Sequence, residues 1–259
     1  MSAKTIGFIG GGRITRVFLG GWRKAAAMPA KVVVSDIDAQ ALARIKESVG
    51  EGAIICNDNA AAMGQDVVFL ALHPPAIPDA LAGLQGSIRP TSILVSLAPK
   101  LTMVRLSDLL GGFDRLVRVI PNAPSIVGAG FNPVAFSSSL TPADRGLVTD
   151  LLSPLGEVYE TKEENLEAFA VLTGMGPTYF WPLLYELVAL GESFGLTSTE
   201  ATAGTRQMLA GTVATMFDSG LDAKAVQDLI PVKPLADVEQ MILEAYRTKL
   251  KAVFEKIRP

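Results

Sequence analysis

Residues Lys4–Thr15 read KTIGFIGGGRIT, and this stretch decides the fold class. It opens with the apolar run Ile6–Ile9, which has no polar alternation and therefore predicts a strand buried on both faces of a parallel sheet. Three glycines follow at once, and apolar residues then recur at helical spacing as far as Trp22. The order of strand, glycine turn and helix is the context in which a glycine fingerprint indicates a dinucleotide site.

The glycine turn matches that fingerprint in part. Gly10 and Gly12 occupy the first two glycine positions, but Thr15 stands where a third glycine is expected. The glycines let the backbone approach a pyrophosphate, and the following helix presents its unpaired N–H groups to that anion. We therefore expect Gly10, Gly12, Arg13 and Ile14 to bind a dinucleotide cofactor. An ordinary glycine-rich turn is the alternative.

An acidic residue ends the second predicted strand, which reads KVVVSD over residues 31–36. Asp36 follows the fingerprint at roughly the 20-residue distance expected of the carboxylate that binds the adenosine ribose. A carboxylate accepts hydrogen bonds from the 2′-hydroxyl and repels a 2′-phosphate, so the pattern favours NADH over NADPH. The alternative is that Asp36 only caps the next helix, a role for which Asp38 is better placed.

Size and composition limit the classes of function. A chain of 259 residues allows two domains. The single cysteine, Cys56, excludes an internal disulfide and indicates a reducing compartment, and the chain begins without a signal peptide, so we expect a cytoplasmic protein. The absence of a long apolar run and of basic clusters argues against membrane and nucleic-acid partners. One histidine and one cysteine argue against a metal site.

The first half of the chain alternates strands and helices, which predicts a doubly wound parallel sheet of Rossmann type over residues 1–160. Strand-like runs then cease, and helical periodicity predicts an all-helical domain over residues 161–259. Ligands of such sheets bind beyond the carboxyl ends of the strands. We therefore expect the segments at those ends to face one crevice. They are Gly10–Ile14, Asp36, His73–Pro74, Ala98–Lys100 and Asn122.

Motifs along nearly the whole chain resemble the pyrroline-5-carboxylate reductase family. The motifs that show this resemblance are GFIGGG at 7–12, RVIPNAP at 118–124 and TGMGPTY at 173–179. The resemblance implies a Rossmann-like domain, a helical dimerisation domain and NAD(P)H-dependent hydride transfer to a cyclic imine, the reaction type of proline biosynthesis. It also implies three groups of site residues. These are Asn59 near the ribose; Leu72, His73, Pro74 and Ala98 along the nicotinamide; and Asn122, Gly174, Met175 and Gly176 at the substrate.

The chain departs from the family pattern where the substrate would bind. Residues 232–237 read VKPLAD where the family carries SPGGTT, and His73 stands in place of a lysine. Two alternatives therefore stay open: a reductase of another imine or oxo acid, and a dinucleotide-binding sensor or partner protein without catalysis. The related hydroxyacid dehydrogenases rank last, because they need a lysine that residues 177–195 do not contain.

Imine reduction requires a proton for the substrate nitrogen as the cofactor delivers hydride. Our candidate catalytic residues are His73, Lys100 and Tyr185. Histidine changes charge near neutral pH, Lys100 could anchor a carboxylate, and Tyr185 could donate a proton from the long helix. A structural imidazole, a solvated ammonium and a buried hydroxyl are the respective alternatives. The apolar faces of the helical domain further predict a homodimer.

Overall fold

The computed structural model describes residues 4–259, apart from the side chain of Glu51, so residues 1–3 of the predicted first domain lie outside it. The strands of the described part are β1 (Thr5–Ile9), β2 (Lys31–Ser35), β3 (Ile54–Cys56), β4 (Val67–Leu70), β5 (Ile93–Ser96), β6 (Leu116–Val119), β7 (Gly130–Phe136) and β8 (Gly156–Glu160). They form one sheet in the order β3-β2-β1-β4-β5-β6-β7-β8.

The sheet has the predicted Rossmann-like architecture, with one correction to its strand directions. All neighbouring strands are parallel except β6 and β7, which are antiparallel. The connection between these two strands is a short 3₁₀ turn over Ala123–Val127, which ends at Gly128 with a φ of 75°. A parallel crossover needs a longer connection, so this turn requires β7 to reverse direction.

The helices lie between the strands in the first part of the chain and follow one another in the second. They are α1 (Arg13–Lys24), α2 (Ala39–Val49), α3 (Asn59–Met63), α4 (Ile77–Leu81), α5 (Met103–Leu109), α6 (Pro142–Leu152), α7 (Leu166–Phe169), α8 (Pro177–Ser193), α9 (Ser198–Asp218), α10 (Ala223–Asp228) and α11 (Glu239–Ile257).

Apolar side chains cover both faces of the sheet and fix the position of the glycine turn. On one face, Phe8 of β1 stacks on Phe69 of β4 with ring centroids 4.8 Å apart, and Phe18 and Trp22 of α1 meet both rings edge-on or tilted. All four rings are fully buried. This aromatic contact binds α1 to the centre of the sheet, so the first turn of α1 stands directly at the carboxyl end of β1.

The chain divides into two compact units. The first comprises Met1–Met175 and Phe254–Pro259, and the second comprises Gly176–Val253. The first unit extends beyond the predicted boundary at residue 160, because Leu166 and Ala170 pack in one buried cluster with Ile120. The second unit contains helices and turns but no strand among its described residues, which confirms the all-helical class. None of the described helices is both long and apolar enough to span a bilayer.

Candidate active site

A cavity of about 800 Å³ opens at the carboxyl ends of β1, β2, β4 and β5, inside the first unit. Its volume lies within the range typical of ligand and cofactor sites. The predicted crevice therefore exists, and it includes many of the predicted residues. Its lining is Gly11, Gly12, Arg13, Ile14, Arg16, Asp36, Asp38, Ala41, Arg44, Ala71, Leu72, His73, Pro74, Leu97, Pro99, Ile120, Pro121, Ala170, Gly174 and Met175.

The two fingerprint glycines serve different purposes. Gly10 has a φ of +104°, and a Cβ there would lie 2.4 Å from the carbonyl oxygen of Ala71, so the close packing of β1 against the end of β4 requires glycine. A Cβ at Gly12 would meet nothing within 4 Å. Gly12 therefore leaves open space at the cavity wall, as expected where a ligand approaches the backbone.

Thr15 replaces the third fingerprint glycine without opening the turn. Its side chain is fully buried, and its hydroxyl donates a 2.6 Å hydrogen bond to the carbonyl oxygen of Gly10. The threonine thus ties the first turn of α1 to the strand end. A glycine at this position would not supply this bond.

The N-terminus of α1 faces the cavity and suits an anion. Gly12 is the N-cap, and no side chain of the described residues caps this helix or places an acid in its first turn. The N–H groups of the first turn, the helix dipole and the cavity-lining Arg13 and Arg16 together favour negative charge at this point. A pyrophosphate fits these features.

Asp36 is held at the cavity wall by two backbone hydrogen bonds. One carboxylate oxygen accepts a 2.6 Å hydrogen bond from the Gly11 N–H, and the other accepts a 2.8 Å bond from the Asp38 N–H. Asp38 caps α2 by accepting from the Gln40 N–H at 2.8 Å and lies 3.6 Å from the Arg44 guanidinium. The prediction that Asp38 caps the helix is confirmed, and Asp36 stays at the cavity wall.

The opposite end of the cavity is mostly apolar. Leu72 and Pro74 follow β4, Leu97 and Pro99 follow β5, and Met175 closes the first unit. His73 lies on this wall with an exposed side chain, at the start of a 3₁₀ turn. Gly174 lines the same end, and its missing side chain leaves room for the Ile120 methyl group, 3.3 Å from an ideal Cβ. Such walls suit a flat, weakly polar ring.

Besides Gly10 and Gly176, three residues predicted at the cofactor or substrate do not line the cavity. Asn59 accepts from the Ser35 hydroxyl at 2.7 Å. Asn122 donates to the Thr173 carbonyl oxygen at 3.3 Å and accepts from the Phe131 N–H at 3.2 Å. Ala98 is buried, with only 1% of its surface exposed. The first two therefore hold the backbone around the cavity.

Two of the three catalytic candidates also lie outside the cavity lining. The Lys100 ammonium is exposed and donates to the Lys256 carbonyl oxygen at 3.5 Å. Tyr185 lies on α8 of the second unit with 78% of its surface exposed. Gly176, a predicted substrate residue, is the first residue of that unit. His73 is therefore the candidate that the cavity itself presents.

Known proteins resemble the chain at the level of sequence and of fold. Residues 5–100 match the family described as NADP oxidoreductase, coenzyme F420-dependent. Pyrroline-5-carboxylate reductase of Pseudomonas aeruginosa is 29% identical over 225 residues, which cover 86% of this chain and 81% of that protein. A Bacillus subtilis pyrroline-5-carboxylate reductase is 26% identical over 233 residues, covering 88% and 77%.

Solved structures show the same resemblance at the level of the fold. A pyrroline-5-carboxylate reductase from Coxiella burnetii superposes with a TM-score of 0.71 at 26% identity, covering 99% of this chain and 95% of that one. The chain thus resembles the pyrroline-5-carboxylate reductases in both sequence and fold. The NADP-bound Plasmodium falciparum pyrroline carboxylate reductase has the same fold, with a TM-score of 0.85 at 20% identity and coverage of 100% and 98%. The description of the matching family and the Plasmodium falciparum structure both name NADP.

The departure from the reductase family at the SPGGTT position falls in the second unit. Residues 232–237 form an exposed stretch of coil and turn between α10 and α11. Tyr179, in the TGMGPTY motif, is in the same unit and packs edge-on against Tyr246 with ring centroids 5.9 Å apart. Burial, with the neighbouring Tyr246, raises the pKa of the Tyr179 hydroxyl, so this group keeps its proton at neutral pH.

Sequence reasoning missed a group of charged residues behind the cavity wall. Arg118 is fully buried in β6, where it is paired with two glutamates. Its signal was present in the reductase-like RVIPN motif: an arginine within an otherwise apolar strand requires buried partners. The glutamates themselves were read only as helix residues, because their partner lies far away in sequence.

Proposed function

We propose that the protein is an NAD(P)H-dependent reductase that transfers hydride to the C=N bond of a cyclic imine, as its relatives' name implies. The observation that carries the proposal is the uncapped α1 N-terminus at the cavity wall, with open space beside Gly12. Asp36, fixed at the same wall, supplies the acceptor for a ribose hydroxyl.

The chain contributes position and electrostatics to this reaction, and the nicotinamide supplies the hydride when bound. The N–H groups of α1 and Arg13 hold the pyrophosphate. Leu72, Pro99 and Ile120 form the apolar wall that keeps water from the reacting carbon. His73, exposed on the same wall, is the proton source for the imine nitrogen.

The test is oxidation of NADH, and separately of NADPH, by the purified protein with pyrroline-5-carboxylate. We expect turnover that falls at least about tenfold in His73→Gln while dinucleotide affinity stays within about twofold. Turnover without any change in His73→Gln would remove the proton role but keep the reductase. Absence of dinucleotide binding would overturn the proposal as a whole.

The exposed VKPLAD stretch favours a second candidate, in which the chain reduces another imine or oxo acid, because it lacks the glycines and threonines of SPGGTT. The same assay with a panel of cyclic imines and 2-oxo acids tests this candidate. Tight dinucleotide binding with no turnover on any member of the panel would instead favour a binding protein without catalysis.

We further propose a preference for NADH, which gives a testable prediction. Asp36→Ala should weaken NADH binding by about tenfold, because the 2′-hydroxyl loses an acceptor, and should strengthen NADPH binding, because the 2′-phosphate loses a repelling charge. Fluorescence titration with each cofactor measures both affinities.

Asp38→Ala is the matched control, since Asp38 lines the same cavity but is occupied with α2 and Arg44. It should change the NADH to NADPH ratio by less than about twofold. Equal losses of both cofactors in Asp36→Ala would contradict the assignment of Asp36 to the ribose.

A further inference from the structure

We propose that Arg118, Glu163 and Glu167 form a buried ion cluster that positions the apolar end of the cofactor cavity. None of the three lines the cavity, so they act through the backbone and not on the ligand. The inference deepens the proposed function and rests on it only in taking the ligand to be a nicotinamide dinucleotide.

Arg118 is the centre of the cluster. It lies in β6, paired with Ser96 of β5 and Ala135 of β7, and its side chain is 1% exposed. One guanidinium nitrogen donates to a carboxylate oxygen of Glu167 at 2.6 Å, and the other donates to Glu163 at 3.0 Å. Glu167 is 2% exposed and Glu163 28% exposed. A charge this deeply buried persists only with such partners.

Both carboxylates also accept from residues 97–103, the loop that joins β5 to α5 and the first residue of α5. The Glu167 oxygen that meets Arg118 accepts the Lys100 N–H at 2.9 Å. The Glu163 oxygen that meets Arg118 accepts the Met103 N–H at 2.7 Å. The Arg118 guanidinium donates to the Ala98 carbonyl oxygen at 3.5 Å as well. Three hydrogen bonds therefore hold this segment to the cluster.

These hydrogen bonds matter because the loop backbone is strained at Lys100. Lys100 has a φ of +72°, a left-handed conformation that residues other than glycine rarely adopt. Its N–H donates to the buried carboxylate of Glu167, which also pairs with Arg118. Pro99, the residue before it, lines the cavity. Glu167 thus selects the loop conformation that places Pro99 at the cavity wall.

The same residues connect the other segments of that wall. Ile120 and Pro121 follow Arg118 along the chain, and Ala170, Gly174 and Met175 follow Glu167. One guanidinium therefore sets the spacing between three backbone segments that together form the apolar end. A loss of either carboxylate leaves the arginine under-paired and lets these segments shift, and small shifts at a reacting centre have large effects.

The first test compares Glu167→Gln with Glu160→Gln. Glu160 forms a 2.8 Å ion pair with Arg145, and its side chain is 60% exposed, so the control makes the same chemical change away from the cavity. We expect Glu167→Gln to weaken dinucleotide binding by about tenfold and Glu160→Gln by less than about twofold. Amide exchange in the dinucleotide-free protein should accelerate over residues 98–103 only in Glu167→Gln.

The second test is rescue. Glycine adopts a positive φ without strain, so Lys100→Gly should restore most of the affinity in the Glu167→Gln background if the carboxylate acts by holding this backbone. A general loss of stability would not be repaired in this way. Should Glu167→Gln fail to fold, Glu163→Gln, whose carboxylate is partly exposed, replaces it with exchange at Met103 as the readout.

The failures of the two proposals are distinguishable. Wild-type protein that binds neither NADH nor NADPH overturns the proposed function. Wild-type binding together with unchanged affinity and unchanged exchange in Glu167→Gln overturns the positioning role. Weakened affinity that Lys100→Gly leaves unrepaired, with exchange over 98–103 unchanged, also overturns it.

Discussion

Gly10 and Gly12 lie two residues apart in the same turn, and each position requires glycine for a different reason. At Gly10 the backbone is left-handed and a side chain would collide with the Ala71 carbonyl oxygen, so the fold requires glycine. At Gly12 the backbone is ordinary and the space is empty, so only a ligand requires glycine. A pair of alanine substitutions therefore separates folding from binding at one turn.

Gly10→Ala should destabilise the protein by about 2–4 kcal/mol, because it adds both a positive-φ penalty and a collision with backbone. Gly12→Ala should change the free energy of unfolding by no more than about 0.5 kcal/mol and still weaken dinucleotide binding by at least about tenfold. Denaturant melts and fluorescence titration measure the two quantities. A stable Gly12→Ala variant with full affinity would place the pyrophosphate elsewhere.

The role of a residue could be predicted where a local rule fixes its conformation, and could not where a distant partner does. The positive φ of Gly10 in the turn and the role of Asp38 at the helix cap follow from neighbours in sequence. Asn122 and Lys100 follow strands β6 and β5 as predicted, but Thr173 and Lys256 decide where their side chains point. No local pattern contains those partners.

At the scale of elements, α6 has a complete N-terminal capping box. The Thr141 hydroxyl caps the Asp144 N–H, and the Asp144 carboxylate accepts from the Thr141 N–H at 3.0 Å and from Arg115 at 2.7 Å. Burial opposes ionisation of the Asp144 carboxyl, but these hydrogen bonds and the Arg115 charge outweigh it and lower the pKa of this group.

A lowered carboxyl pKa gives stability that is present above the ordinary pKa, near 4, and is lost as the pH falls through the folded-state value. Asp144→Asn should therefore cost about 1 kcal/mol at pH 7 and progressively less toward pH 3. Urea melts of both proteins across this range give the difference in unfolding free energy.

Asp150→Asn, an exposed change in the last turn of the same helix, is the control. It should cost nothing at pH 7, because a negative charge near a helix C-terminus is unfavourable. A constant difference between wild type and Asp144→Asn at all pH values would show that the charge of Asp144 is not what stabilises α6.

Strand and cap positions could be predicted because apolar runs and capping residues act within one element. Asp58, Thr102 and Thr141, all residue types favoured at the N-cap, cap α3, α5 and α6. The reversal of β7 escaped prediction, since strand direction depends on how far the connecting turn reaches and not on the strand's own residues. The π-helical turn at Ala170–Gly174 was not predicted either.

For the whole molecule, the second unit exposes more apolar surface than a solitary domain should. In α8, whose residues are all described, none is buried, and Phe180, Leu183, Leu187 and Leu190 are each at least 40% exposed. Their spacing places them on one stripe of the helix. We propose that a second copy of the chain covers this stripe in a homodimer, since exposed stripes of this size mark interfaces.

Leu183→Glu with Leu187→Glu should shift the protein from dimer to monomer, because two buried carboxylates would lack partners. Light scattering at micromolar concentration measures the mass. Val104→Glu, at an apolar position on α5 of the first unit that is 72% exposed, should leave the dimer intact. A wild-type protein that is monomeric under these conditions would contradict the proposal.

The change from strands to helices near residue 160 was visible in the sequence, whereas the extent of each unit was not. Periodicity reports the type of an element but not what the element packs against. The last turn of α11 looks like any amphipathic helix end, yet Ile257 packs on the buried cluster of Ile120, Ala135 and Leu166. That contact assigns residues 254–259 to the first unit.

Because residues 254–259 belong to the first unit, that unit cannot be completed until the end of the chain has been synthesised. Segments made early usually fold as soon as they leave the ribosome. Here the sheet unit acquires the Ile257 contact and the Lys256 acceptor for Lys100 only after the entire helical unit has been translated. A nascent chain stalled before residue 254 would therefore hold a sheet unit with its final apolar patch uncovered, available to chaperones until translation moves on.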